Sequence, residues 1–172
     1  MSRIRTYLGI LGCFVVLLSP GLASAQDAAA KVKASMALLK GEAQKLGAAK
    51  LEGTDTVADK QVPALYLGTT KMNNNVALVD EVVKKVGGTA TLFVKSGDEF
   101  VRVTTNVKKP DGSRAIGTIL DPKGKAIVAI RANEAFYGEV DILGKLYVTG
   151  YEPMRDAGNA VIGIYYVGYL KE

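Results

Sequence analysis

The chain of 172 residues contains no histidine, no tryptophan and a single cysteine, Cys13. The absence of histidine removes the most common general base, the most common zinc ligand and every nucleophile that an imidazole activates. No serine after residue 25 has a lysine three positions later, and the glycines form no phosphate-binding loop. The sequence therefore predicts a protein that is not an enzyme, with no catalytic residue, no metal and no other cofactor.

The chain also lacks a concentrated charge of either sign. Its net charge is +5, from 22 basic and 17 acidic residues that are mixed along the sequence. No basic helix is interleaved with aromatic residues, which is the pattern that nucleic-acid binding would require. Nucleic acid is therefore excluded as the expected partner.

The first 25 residues have the pattern of a secretory signal peptide. Arg3 and Arg5 make the start basic, residues 7–18 form an apolar run, and Ala23-Ser24-Ala25 is a cleavage site of small residues. This run is shorter than the about 20 residues that span a bilayer. We therefore expect cleavage after Ala25, with retention as an anchor as the alternative. Because Cys13 leaves with the signal, the mature domain has no disulfide, which favours the bacterial periplasm.

A long helix is predicted at the start of the mature chain. Apolar residues are spaced there by four, three, four and three positions, so they share one helix face: Val32, Met36, Leu39, Ala43 and Leu46. This face suits packing on the domain's own sheet, and it also suits a short seam between two copies of the chain. A polar connector is expected over residues 51–60.

The remaining sequence alternates strands, turns and two further helices. Strands are predicted at residues 62–67, 89–95 and 100–107, with three more between residues 136 and 168. One helix is predicted with its N-cap among Asn73-Asn74-Asn75, and another is predicted to start at Asp121-Pro122, with Asp121 as the cap and Pro122 as its first residue. Gly87 is expected to end the first of these two helices. The order predicts an α+β domain in which the long N-terminal helix packs on a central antiparallel sheet of five to six strands.

Two of the predicted strands have one polar face. Strand alternation places Arg102 and Thr104 on one side of residues 100–107, and Tyr147 and Thr149 on one side of residues 145–152. An arginine can hold a carboxylate through two hydrogen bonds, and tyrosines provide flat walls with a hydroxyl group. A solvated sheet face is the alternative interpretation of the same pattern.

Three segments give the sequence a resemblance to a known family. These segments are DGSRAIGT at 111–118, YGEVDILGK at 137–145 and YEPMRDAGNAVIGIYYVG at 151–168. Their amino-acid sequences resemble those of single Cache domains, the PAS-like extracytoplasmic sensor modules of chemoreceptors and histidine kinases. The resemblance extends over about the last two thirds of the chain. It implies a single Cache domain at residues 26–172, made of the N-terminal helix and connector (26–60) and a PAS-like sheet domain (61–172).

The resemblance also implies a ligand pocket on one side of the sheet, roofed by helices and loops. The expected ligand-binding residues are Arg102, Thr104, Arg131, Tyr137, Tyr147 and Thr149. Arg131 has a second interpretation, since a cation near the end of a helix is stabilised by the helix dipole.

The expected function is non-catalytic binding of a small metabolite in the periplasm, with a short carboxylate favoured. Receptor-type Cache domains continue into a second membrane span, whereas this sequence ends at Glu172 just after its last strand. We therefore expect a stand-alone sensor that works in signal transduction or chemotaxis with a membrane receptor or histidine kinase. The resemblance also implies a homodimer through the first helix. The alternative is a ligand-free docking or regulatory module that acts through protein contacts.

Overall fold

A computed structural model of the protein describes residues 20–171. The basic start and apolar run of the predicted signal peptide lie in residues 1–19, outside the described residues. The elements, in chain order, are α1 (Pro20–Leu46), β1 (Ala49–Val57), β2 (Lys60–Leu67), β3 (Thr70–Lys71), α2 (Ala77–Val86), β4 (Thr89–Ser96), β5 (Glu99–Thr105), α3 (Lys125–Arg131), β6 (Phe136–Ile142), β7 (Lys145–Arg155) and β8 (Val161–Leu170). No helix in this part of the chain combines the length and the apolar character that a membrane crossing requires.

The strands form two antiparallel sheets. The larger sheet has the order β5-β4-β8-β7-β6, and the smaller has the order β1-β2-β3. The predicted α+β class with a central antiparallel sheet of five strands is confirmed. The β4–β5 and β6–β7 hairpins turn tightly at Gly97 and Gly144, which both have a positive φ.

Helix α1 packs on the larger sheet through the face that its apolar spacing predicts. Val32, Met36, Leu39 and Ala43 are all buried, and the helix contacts β7, β8 and α2. Leu46 is 39% exposed, because it is the last residue of the helix. Gly47 follows with a φ of 126°, a conformation that favours glycine and that turns the chain into β1.

The prediction of a polar connector at residues 51–60 is wrong. Most of this segment is strand β1, which is antiparallel to β2, with Ala49 opposite Leu67 and Val57 opposite Lys60. In the turn between the two strands, Ala58 has a φ of 56°. Most β1 side chains are exposed or half-buried, since β1 is an edge strand. Its polar residues and Gly53 therefore resemble a loop in the sequence.

The two shorter helices begin later than predicted. Helix α2 starts at Ala77, whose backbone N–H donates to Asn75 Oδ1 over 3.2 Å, whereas Asn73 is buried and accepts from Leu65 N over 2.8 Å. Gly87 ends α2 as expected, with a φ of 73°. Asp121 belongs to a turn that precedes α3, because its carboxylate accepts from the N–H of Lys123.

The larger sheet separates two apolar clusters. The cluster under α1, named here the helix-side core, includes Met36, Leu39, Leu92, Val94, Val103 and Val167. The cluster on the opposite face, named the cavity-side core, includes Phe93, Ile127, Ile130, Tyr151, Ile164 and Tyr166. Helix α3 and the chain between β5 and α3 cover the cavity-side core, which places a roofed space on that face of the sheet.

Candidate functional site: a roofed cavity at Arg102

An irregularity between β4 and β5 decides which polar residues face the roofed side. Phe93 pairs with Arg102 and Leu92 pairs with Thr104, so β5 has one extra residue at this point. A bulge of this kind shifts the alternation of side chains by one position. Arg102 therefore shares the face of Phe93, in the cavity-side core. Thr104 shares the face of Leu92, in the helix-side core, and the expectation that it shares a face with Arg102 is wrong.

A cavity of about 150 Å³ lies on the cavity-side face of the sheet. Arg102 and Tyr151 contribute side chains from the sheet. The cavity is closed by the β6–β7 hairpin and by residues 106–124 between β5 and α3, named here the covering loop. The other lining residues are Ile119, Leu120, Asp121, Val140, Asp141, Ile142 and Leu143. Asp121, Asp141 and Leu143 are exposed, so the cavity meets solvent at that side, whereas Arg102 is 5% exposed.

The Arg102 guanidinium is held in place but is not neutralised. Its Nη1 donates to Thr118 Oγ1 over 2.7 Å, and its Cζ lies 5.0 Å from the centre of the Phe93 ring. Its Nε has no hydrogen-bond partner, and no carboxylate of residues 20–171 forms an ion pair with it. Burial lowers the pKa of Arg102, which is the direction expected for a cation removed from water.

The covering loop places Thr118 through backbone hydrogen bonds to the edge of β5. Arg102 N donates to Thr118 O and Gly117 N donates to Arg102 O, both over 2.9 Å. Thr118 Oγ1 in turn donates to Ala115 O over 2.8 Å. The loop is thus fixed to the same residue whose side chain lines the cavity, and it protects the edge of β5 from other partners.

Tyr151 supplies a second polar atom without a partner. Its side chain is fully buried, and its ring centre lies 4.9 Å from that of Tyr166 and 6.5 Å from that of Phe93. The Tyr151 hydroxyl has no hydrogen-bond partner within the described residues. Burial raises the pKa of Tyr151. The phenol therefore stays neutral at physiological pH and can donate its proton in a hydrogen bond.

The other predicted ligand residues lie outside this cavity. Tyr147 and Thr149 are on the same face of β7 as Tyr151, but neither lines the cavity, and Thr149 Oγ1 donates to Gly138 O over 2.7 Å. Tyr137 packs against the helix-side core, on the opposite face. Arg131 lines a separate groove at the far end of α3.

Tyr137 instead belongs to a polar contact between the sheet and α1. Its hydroxyl donates to Glu152, and Lys40 of α1 donates to the other oxygen of the same carboxylate over 2.6 Å. Burial raises the pKa of Glu152, but the hydrogen bonds from Lys40 and Tyr137 outweigh it and hold this pKa below its ordinary value. Tyr151 and Glu152 are neighbours on β7, so one strand contributes to both the cavity and the helix contact.

Replacing Glu152 with glutamine is expected to remove a pH-dependent part of the stability. Since the folded-state pKa is lowered, the contribution is present above the ordinary value of 4.5 and is lost as the pH falls through the folded-state pKa. We expect Glu152→Gln to cost about 1 kcal/mol or less at neutral pH, and the cost to become smaller as the pH is lowered to about 3. Urea unfolding at the two pH values measures the difference.

The matched control is Glu139→Gln. Glu139 pairs with Lys171 over 2.6 Å, but both side chains are nearly half exposed. An exposed pair of this kind contributes little. Equal pH dependence in the two variants would show that the Glu152 contact has no particular role.

Sequence reasoning missed Tyr151 and Thr118 as site residues. Strand alternation already groups Tyr151 with Tyr147 and Thr149, so the pattern contained the signal for it. Thr118 carries no signal of its own, because its position against Arg102 depends on how the loop folds back along β5.

The fold and the site together define a class of protein. A long helix and an antiparallel sheet, with a small roofed cavity on the other face of the sheet, are typical of PAS-like extracytoplasmic sensor domains. The family model for the Cache 3/Cache 2 fusion domain matches residues 22–172, and the chain belongs to this family. The sequence-based identification as a Cache domain is confirmed. No curated protein matches the sequence.

Membership gives the function in general terms. Cache domains are extracytoplasmic sensory modules that typically bind small molecules and signal through membrane receptors, and they are generally not catalytic. No group of three or more histidine, cysteine, aspartate or glutamate side chains is placed to hold a metal ion in residues 20–171.

Proposed function

We propose that the protein binds a short organic acid in the Arg102 cavity and passes this signal to a membrane partner. The observation that supports the proposal is the buried guanidinium beside a cavity, without a carboxylate partner. An uncompensated buried charge costs several kcal/mol in a folded protein. A ligand carboxylate in the cavity would compensate the charge of the Arg102 guanidinium.

The size and charge of the cavity restrict the ligand class. One water molecule takes up about 30 Å³ in the liquid, so the cavity has room for an acid of about four carbon atoms or fewer. Asp121 and Asp141 lie at the exposed side and would repel a second negative charge. We therefore favour a monocarboxylate, such as a short fatty or hydroxy acid, over a dicarboxylate.

Export and cleavage belong to the same proposal. Signal removal after Ala25 would release residues 26–172 into the periplasm as a single Cache domain. A chemoreceptor or a histidine kinase in the membrane would then receive the signal, and a second copy of the chain could assemble through α1. The predicted roles of Thr104, Arg131, Tyr137, Tyr147 and Thr149 are not part of this proposal, because they do not line the Arg102 cavity.

A thermal unfolding panel tests the proposed ligand class. The purified protein is heated with acetate, propionate, lactate and pyruvate, and with amino acids, amines and purines as comparisons. A ligand at 100 times its Kd stabilises the folded state by about 2.7 kcal/mol, which raises the Tm of a domain of this size by about 5–10 °C. We expect one or more monocarboxylates to give this shift. A well-folded protein that responds to none of the compounds would contradict the proposal and favour a docking module without a ligand.

A further inference from the structure

A second concave site lies at the opposite end of α3 from the Arg102 cavity. It is a groove of about 440 Å³ between the β4–β5 hairpin, the end of α3 and the turn that joins β7 to β8. Its lining combines apolar residues with cations: Phe100, Ile130 and Val161 are apolar, and Lys95, Arg131 and Arg155 are basic. It shares no lining residue with the Arg102 cavity.

The two arginines of this groove are anchored by backbone oxygens. Arg131 Nη2 donates to Asp98 O over 3.0 Å, while Arg155 Nη1 and Nη2 donate to Asn159 O and Asn133 O over 3.3 and 3.2 Å. These contacts connect three separate loops. They fix the guanidinium groups at the groove before any ligand binds, which reduces the entropy cost of binding.

The positive charge of the groove is not neutralised by the protein. Neither arginine forms an ion pair with a carboxylate of residues 20–171. Asp98 is the one carboxylate in the lining, against the three cations Lys95, Arg131 and Arg155. An anion is therefore the complementary ligand, and two negative charges would balance the lining.

We propose that this groove binds a small organic dianion with an apolar body. The fixed guanidinium groups would hold the carboxylates, since an arginine fork matches the geometry of a carboxylate. Phe100, Ile130 and Val161 would cover the apolar part of the molecule. The groove is about three times as large as the Arg102 cavity, which suits a larger ligand than the proposed short acid.

Nuclear magnetic resonance titration with phthalate, an aromatic dicarboxylate, tests the proposal. We expect saturable shifts of the backbone amides of Lys95, Asp98, Arg131 and Asn159. The Arg131→Gln and Arg155→Gln variants should each weaken binding by about tenfold or more, because a charge-assisted hydrogen bond is lost. Lys125→Gln is the matched control, since it removes one charge at the other end of α3 and should bind phthalate normally.

Each outcome separates the groove from alternatives. The proposal would be overturned by shifts that do not saturate or that persist in both arginine variants. It would also be overturned if neutral benzamide produced the same shifts. If Arg155→Gln does not fold, the loss of phthalate binding is measured in Arg131→Gln and Lys95→Gln instead. Arg102→Met should still bind phthalate, so a failure of the proposed short-acid site and a failure of this groove are distinguishable.

Discussion

Replacing Arg102 with methionine is expected to abolish the response to every short acid that stabilises the natural protein. Methionine keeps much of the length and apolar contact of the side chain but removes the guanidinium that would hold the carboxylate. We expect affinity to fall by at least about a hundredfold, because a buried charge-assisted contact is lost. Thermal unfolding with and without the acid measures this loss.

The same variant should be at least as stable as the natural protein when no ligand is present. Arg102 is a buried cation without a carboxylate partner, and replacing buried charges with apolar residues is often neutral or stabilising, by about 1–4 kcal/mol. Thr118 Oγ1 still donates to Ala115 O after the change, so this hydroxyl keeps a hydrogen-bond partner. A gain in stability together with a loss of ligand response would identify a residue kept for binding rather than for folding.

Arg114→Met is the matched control for this experiment. Arg114 donates to both oxygens of Asp80 over 2.8 and 2.7 Å, and to Thr105 O over 2.8 Å, so it ties the covering loop to α2. We expect this variant to lose about 1–3 kcal/mol of stability and to keep its ligand response. A ligand response that survives in Arg102→Met but disappears in Arg114→Met would place the binding site elsewhere.

The second large effect is expected at Leu39, in the centre of the face that α1 packs on the sheet. The side chain is fully buried in the helix-side core. Leu39→Ala removes its packing and leaves a cavity, which costs about 2–5 kcal/mol at such sites. Denaturant unfolding monitored by circular dichroism measures the loss.

Leu46→Ala provides the comparison on the same helix. This leucine has the same chemistry but is 39% exposed at the helix end. We expect a loss below about 1 kcal/mol, since surface substitutions away from packed sites change stability little. Equal losses at both positions would mean that α1 is not an integral part of the core.

The sequence pattern predicts well the elements whose side chains have a strong period. The apolar spacing of α1 predicts the helix correctly, because one face of it is buried. The apolar segments of β4, β5 and β8 predict these strands correctly, because they are buried on both faces of the sheet. β1 was missed for the opposite reason. It is a polar edge strand, and its pairing with β2 stabilises it more than its own residues do.

The candidate site was only partly predictable. Arg102 follows from alternation along β5, and Tyr151 follows from alternation along β7. The position of Thr104 depends on the bulge, which leaves no mark in the sequence of β5 itself. The roof at Ile119, Leu120 and Asp121 depends on long-range packing, which local patterns do not contain.

The bulge in β5 has a consequence for comparing this protein with other members of its family. A relative with one residue fewer between Arg102 and Thr105 would require an alignment gap inside a strand, where gaps are ordinarily avoided. If the gap is placed in a nearby loop instead, every strand residue on one side of the bulge is compared with a residue from the other face of the sheet. Cavity-facing positions such as Arg102 would then be scored against core positions, and conserved ligand contacts would look variable. Aligning these strands by their pairing with β4 avoids this error.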